Sequence, residues 1–166
     1  MQQYLLSGLL ITPLVAAFAA LIVPDRFPKL FRLLALATSA LQLIILLGII
    51  AAYDPAGGLQ FVEQRSWITL DLGTWGFLKA EYLLGLDGLN LPLISLAVVI
   101  MLVATVSSWN IEKNVRGYFI LLLILNTAII GSFCALDFLL FYLFFEFMLL
   151  PLYFLIGIWG GVKREY

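Results

Sequence analysis

One side chain in this sequence demands a chemical account before any other. Glu146 sits in Phe141-Tyr142-Leu143-Phe144-Phe145-Glu146-Phe147-Met148, an aromatic run with no second charge. If that run crosses a membrane, an ionised carboxylate at its centre costs roughly 2.5–3.5 kcal/mol. Such an acid must hold a proton, meet a cation or face water. Two roles fit: a group that takes up and releases protons, or a protonated acid that hydrogen-bonds a neighbouring helix. Tyr142 lies four residues before it and Tyr153 seven after, so a helix presents all three on one face. Pro151, five residues on, removes a backbone hydrogen bond and frees the carbonyl of Phe147. That carbonyl can hold water beside the acid, or the proline can simply kink the helix.

The remaining polar residues are quieter. Asn126 and Thr127 fall within an apolar stretch and can bond across helices or line the same hydrated path. Asp87 and Asn90, in Gly85-Leu86-Asp87-Gly88-Leu89-Asn90-Leu91-Pro92, suit a helix start, with Pro92 in the first turn. Asp137 likewise suits the cap of the Glu146 helix, where an acid offsets unpaired N–H groups. There is no histidine and one cysteine, Cys134, which reads as a packed side chain. A zinc, haem or iron–sulfur ligand set is therefore missing from the sequence, as are phosphate-loop and dinucleotide-binding motifs. These observations predict no cofactor in this chain and no bound metal.

The elements that must position Glu146 follow from composition. Of the residues, 64% are hydrophobic and 11% charged, where a soluble domain has about 25% charged. About 20 apolar residues cross a hydrocarbon core of about 30 Å. Five stretches qualify: residues 4–23, 30–53, 83–109, 117–134 and 137–159. The expected fold is an all-α integral membrane domain over residues 1–166. The N-terminal Met1-Gln2-Gln3-Tyr4 lacks a basic region, so the first stretch reads as a retained span. Between the second and third stretches, residues 54–81 alternate Trp67, Thr69 and Asp71 with Ile68, Leu70 and Leu72. That period predicts a short β-hairpin on the membrane surface with Gly73 near its turn, or else an irregular interfacial loop. Trp67, Trp75 and Tyr82 suit an aromatic belt. Seven of the nine Lys and Arg residues fall on one side if the N-terminus is outside; only Arg65 and Lys79 lie opposite. The positive-inside rule then puts the C-terminal tail in the cytoplasm. A net charge of −1 without a basic patch argues against a nucleic-acid partner.

With these residues in view, the chain resembles the antiporter-like membrane subunits of respiratory complex I, the proton-pumping NADH:quinone oxidoreductase, and within them the bacterial chain M branch. The resemblance rests on Tyr82 to Pro92, on Asp137 to Glu146, on Leu150-Pro151-Leu152-Tyr153, and on Trp159-Gly160-Gly161 with Arg164. It implies proton translocation driven by quinone reduction elsewhere, in a bacterial inner membrane. It also implies other membrane subunits as partners, and indirectly a hydrophilic arm carrying flavin and iron–sulfur centres. Glu146 matches the family's proton-path glutamate, and Arg164 would be a contact at the cytoplasmic end. The sequence departs from the family in length: the lysines that partner this glutamate lie on later helices. The resemblance thus implies the N-terminal part of a longer or split subunit. A subunit of a multi-subunit sodium/proton antiporter shares the same module, and a non-catalytic membrane scaffold is the third reading.

Overall fold

The computed structural model describes residues 4–71 and 77–161. Five helices are long and apolar enough to span a membrane. They are α1 (Leu5–Ile22), α2 (Pro28–Ala52), α3 (Asn90–Ser107, extended by a 3-10 turn over Ser108–Asn110), α4 (Val115–Cys134) and α5 (Phe138–Trp159). Two antiparallel strands, β1 (Gln60–Asp71) and β2 (Phe77–Leu86), form a hairpin between α2 and α3. Leu72, Gly73 and Trp75 of the expected turn lie outside the described residues, as do Lys163 and Arg164 of the tail.

The hairpin corrects one boundary. The third apolar stretch begins not as a helix at residue 83 but as strand, with Leu83, Leu84 and Leu86 paired to Gln64, Glu63 and Gln60. Apolarity alone cannot separate a buried strand from a helix. The capping group decides: Asp87 Oδ1 accepts from the backbone N–H groups of Leu89 and Asn90, both at 2.8 Å, and only there can a helix start.

Local chemistry sets the other ends. Pro28 occupies the first turn of α2, where its missing N–H costs nothing. Asn114 caps α4 from a left-handed conformation (φ 46°), accepting from Gly117 N at 3.3 Å. Asp137 caps α5 by accepting from Leu140 N at 3.0 Å.

α4 is the central helix, with 56% of its span buried; it packs on α1, α2, α3 and α5. α5 is peripheral, with 11% buried. The contact between them is close because residue 131 is glycine: a Cβ there would come within 2.5 Å of the Phe144 ring. One apolar cluster lies under the hairpin, around Leu6, Leu46, Leu84, Ile94, Ile130 and Leu140. The second lies towards the opposite end, around Ala16, Phe31, Met101, Phe119 and Leu122.

Polar bonds fix the two ends of the bundle. At one end Arg32 Nη2 donates to Ile111 O at 2.9 Å. Arg116 pairs with Asp25 at 3.1 Å, and Trp159 Nε1 donates to Lys113 O at 2.7 Å. Arg26, Lys29, Arg32, Lys113 and Arg116 therefore share that end, and Arg65 and Lys79 share the hairpin end. Leu136 N donates to Leu83 O at 2.9 Å, which fastens the α4–α5 connection to the hairpin.

Candidate functional site

The site is built on α5 and roofed by β1. A period of 3.6 residues puts Leu139, Tyr142, Leu143, Glu146, Phe147 and Leu150 on one face of α5. These side chains, with Trp67 and Ile68 of β1, line an open pocket of about 450 Å³. The Tyr142 hydroxyl is the polar group nearest the Glu146 carboxylate on this face, one helical turn away and close enough to interact with it. Among the described residues, Glu146 is the only carboxyl group lining this pocket, and the others except Tyr142 are hydrocarbon or indole.

The acid is central in its helix but not covered by this chain. Glu146 is exposed, as are Tyr142 (51%) and most of their neighbours, so this face of α5 looks away from α4. Tyr153 is further along and more exposed still (74%), its ring edge-on to Phe154 at 5.6 Å; it does not line the pocket. Pro151 is on the opposite side, buried, and the helix continues through it. The structure thus brings Tyr142 to Glu146, and it turns Pro151 into the α4 interface.

Asn126 and Thr127 face inward, away from the pocket. Thr127 Oγ1 donates to Leu123 O at 3.2 Å. Asn126 Nδ2 donates to Gln42 Oε1 at 2.7 Å, and Gln42 Nε2 donates to Leu9 O at 2.9 Å. All three side chains are buried. The reason for this chain of amides lies in α1. Pro13 has no N–H to give the carbonyl of Leu9, four residues earlier, so that carbonyl needs another donor. Gln42 supplies it from α2. A glutamine at the middle of an apolar span is as unusual as a mid-span acid, and that was the signal in the sequence that could have singled out Gln42.

Asp87 and Asn90 form a reciprocal cap. Asp87 N donates to Asn90 Oδ1 at 2.8 Å while Asp87 accepts from Asn90 N. Asn90 Nδ2 also donates to Gly85 O at 2.9 Å and Phe133 O at 3.2 Å, joining β2, α3 and α4. Asp137 accepts a further bond from Glu81 N at 3.3 Å, tying α5 to β2. These acids hold the roof of the site in place.

A second carboxylate lay outside the sequence reading. Glu63 is 6% exposed and points into the first turn of α1, which has no capping side chain of its own. It accepts from Leu6 N at 2.9 Å, from Ser7 N at 3.2 Å and from the Ser7 hydroxyl, which also meets the Tyr82 hydroxyl at 2.8 Å. A bulge makes this possible. The register gains a residue on β1 between Gln60 and Glu63, with Phe61 at φ 52°, and this re-aims the side chains that follow. Burial raises the pKa of the Tyr82 phenol; the Ser7 bond opposes this and the Glu63 charge adds to it. No sequence signal separates Glu63 from an ordinary loop charge.

Three comparisons bear on this geometry. No family model matches the chain. A chain from the membrane-bound sulfane sulfur reductase, an archaeal respiratory membrane complex, superposes with a TM-score of 0.68. It covers 95% of this chain and 23% of that one at 19% identity, so the likeness is one of fold. NADH-quinone oxidoreductase subunit M of Rhodobacter capsulatus is 39% identical over 99% of this chain and 31% of its own length. NAD(P)H-quinone oxidoreductase chain 4 1 of Synechococcus sp. (strain JA-2-3B'a(2-13)) is 38% identical over 97% of this chain and 29% of its own. The chain thus spans about a third of the length of the curated relatives it matches, and along nearly all of its own length it is similar to the M and chain 4 subunits of quinone oxidoreductases.

Proposed function

We propose that this chain is the N-terminal part of a membrane-arm subunit of a proton-translocating NADH:quinone oxidoreductase, in which Glu146 takes up and releases protons. The observation that carries this reading is the 39% identity to subunit M across 99% of the chain. The geometry supports it. Glu146 lies mid-span on a face this chain leaves uncovered, with one phenol for a partner. A carboxylate in hydrocarbon keeps its proton until a cation comes alongside, and loses it when one does. No lysine or arginine of the described residues lines its pocket, and in this reading the cation is supplied by another part of the assembled subunit. Tyr142 holds the carboxyl in place between the two states. Redox chemistry, in this reading, belongs to the flavin and iron–sulfur subunits, and the other membrane subunits cover α5.

The test is proton pumping by the complete complex in vesicles, driven by NADH. Glu146→Gln keeps the volume and one hydrogen bond but cannot exchange a proton. Pumping should fall at least about tenfold, equivalent to about 1.4 kcal/mol, with assembly intact. Glu146→Asp should fall less. A Gln variant that pumps at the parent rate would reduce Glu146 to a packing residue. We further propose a bacterial inner-membrane location with the N-terminus outside. Cysteine placed at position 60 should then label from outside and cysteine at 113 should not; the reverse pattern would invert the proton path.

A further inference from the structure

A groove runs down α1 from the hairpin, on the side of the molecule where Tyr4, Arg65 and Tyr82 meet. Its upper chamber, about 690 Å³, has a mixed lining, with Tyr4, Gln64 and Arg65 beside Leu10, Ile11 and Val62. Its lower chamber, about 620 Å³, is walled by Ile11, Val15 and Ala19 of α1 and Leu34 and Leu41 of α2. The two share Tyr4, Ser7 and Ile11 and so adjoin along α1. The hydroxyls along it are already engaged. Thr12 donates to Leu9 O at 3.3 Å, Thr38 to Leu34 O at 2.8 Å, and Ser7 to Glu63. The lower chamber therefore offers a guest only hydrocarbon.

Arg65 decides what that guest is. Its guanidinium donates to the Tyr4 hydroxyl at 2.8 Å and stands 5.5 Å from the Tyr4 ring centre. Among the described residues it forms no ion pair: the two pairs present are Lys79–Glu81 and Arg116–Asp25. The carboxylate beside it, Glu63, is turned inward and saturated by donors of α1. A fixed cation at the membrane surface above an apolar channel matches a molecule with an anionic head and a hydrocarbon tail. From Tyr4 to Ala19 the groove follows α1 for about 22 Å at about 1.5 Å per residue, deeper than one leaflet's half of a core of about 30 Å.

We propose that this groove is a phospholipid site: the phosphodiester pairs with Arg65, and one acyl chain lies along α1 over Gly8, Ile11 and Val15. A partner helix is the less complementary guest, because it would bring apolar side chains to the charged rim and leave Arg65 without an anion. Position 8 keeps the channel open. A Cβ on Gly8 would meet no atom within 4 Å, so a side chain there starts into the open groove that Gly8 lines.

The full chain, purified with its accompanying chains, is reconstituted in phosphatidylcholine vesicles. They carry a trace of phosphatidylglycerol with a diazirine midway along one acyl chain. After illumination, mass spectrometry locates the label. It should concentrate on Ile11, Val15, Leu34 and Leu41, at least about fivefold above Val103 on the exposed face of α3. Gly8→Leu should abolish that excess, Arg65→Gln should reduce it at least about threefold, and Arg65→Lys should retain most of it. Even labelling of all exposed faces, an excess that survives either Gly8→Leu or Arg65→Gln, or photolabel-free crosslinking of this groove to another polypeptide would overturn the proposal.

Discussion

Glu63 and Glu146 are both carboxylates on the hairpin side of an apolar bundle, and they are opposites. Glu63 comes from a surface loop in the sequence yet is buried, with backbone N–H groups of Leu6 and Ser7 and the Ser7 hydroxyl aimed at it. Glu146 comes from the middle of an apolar helix yet is exposed, with Tyr142 beside it. The fold surrounds the Glu63 carboxylate with donors of its own, whereas it leaves Glu146 open to whatever covers α5. The pair teaches that donor supply, not depth along the sequence, decides which acid the fold itself satisfies.

Substitution can break the comparison at its strongest point. Glu63→Ala leaves two N–H groups of α1 without acceptors in a buried corner, and should cost about 3 kcal/mol in denaturant unfolding of the assembled protein. Glu146→Gln should change the same quantity by less than about 0.5 kcal/mol. Equal losses in the two variants would erase the distinction. A smaller effect sharpens the working side. Tyr142→Phe removes the partner of Glu146 and should slow proton transport about fivefold, the equivalent of about 1 kcal/mol, while stability holds. If transport is untouched, the phenol does not position the acid.

The smallest effect belongs to Glu81, a half-buried acid paired with an exposed lysine, which serves as the control. The Lys79 ammonium, with help from Gln64, holds its pKa below the usual carboxylate range. A lowered folded pKa means stability that is present above the ordinary carboxylate range and lost as pH falls through the folded value. Because the Lys79 ammonium stands in solvent, that stability is screened by salt. Lys79→Ala should return the Glu81 titration, followed by NMR, towards its ordinary range with no measurable change in unfolding. A clear loss of stability would show that exposed pairing matters here as much as the Glu63 pocket does.

Much of this architecture was legible from residues alone, and for stated reasons. A span announces itself by length and hydropathy, so all five were placed within a few residues, except the start of α3. There the run Tyr82-Leu83-Leu84 is as apolar as a helix but hydrogen-bonds as a strand, and only the Asp87 cap marks the change. The hairpin was visible in its alternation, while its bulge at Phe61 was not, because a bulge is a property of pairing rather than of composition. Glu146 stood out because a charge in hydrocarbon is costly. Which way it faces was not legible: Tyr142, Glu146 and Tyr153 share one face of α5, but a polar stripe on a membrane helix can turn either into the bundle or out towards a partner. Glu63 was hidden for the converse reason, since a charge in a loop costs nothing until the fold buries it.

The break at Pro13 has a consequence for how the protein comes to be made. α1 leaves the ribosome before α2, with a Leu9 carbonyl that lacks its helical N–H donor and finds within its own helix only the Thr12 hydroxyl, at 3.3 Å. Its donor, Gln42, follows 33 residues later on α2, and Asn126, which braces Gln42, is 84 residues later again. Until α2 arrives, α1 has reason to linger near water or the insertion machinery rather than settle in lipid. Once the amide docks, the two helices are latched at one height and one rotation, since a shift of a single residue carries the donor off the carbonyl. The missing N–H of Pro13 thus works as a timing mark in biogenesis: α1 and α2 commit to the bilayer as a hairpin of helices, and α4 closes the latch when its turn comes.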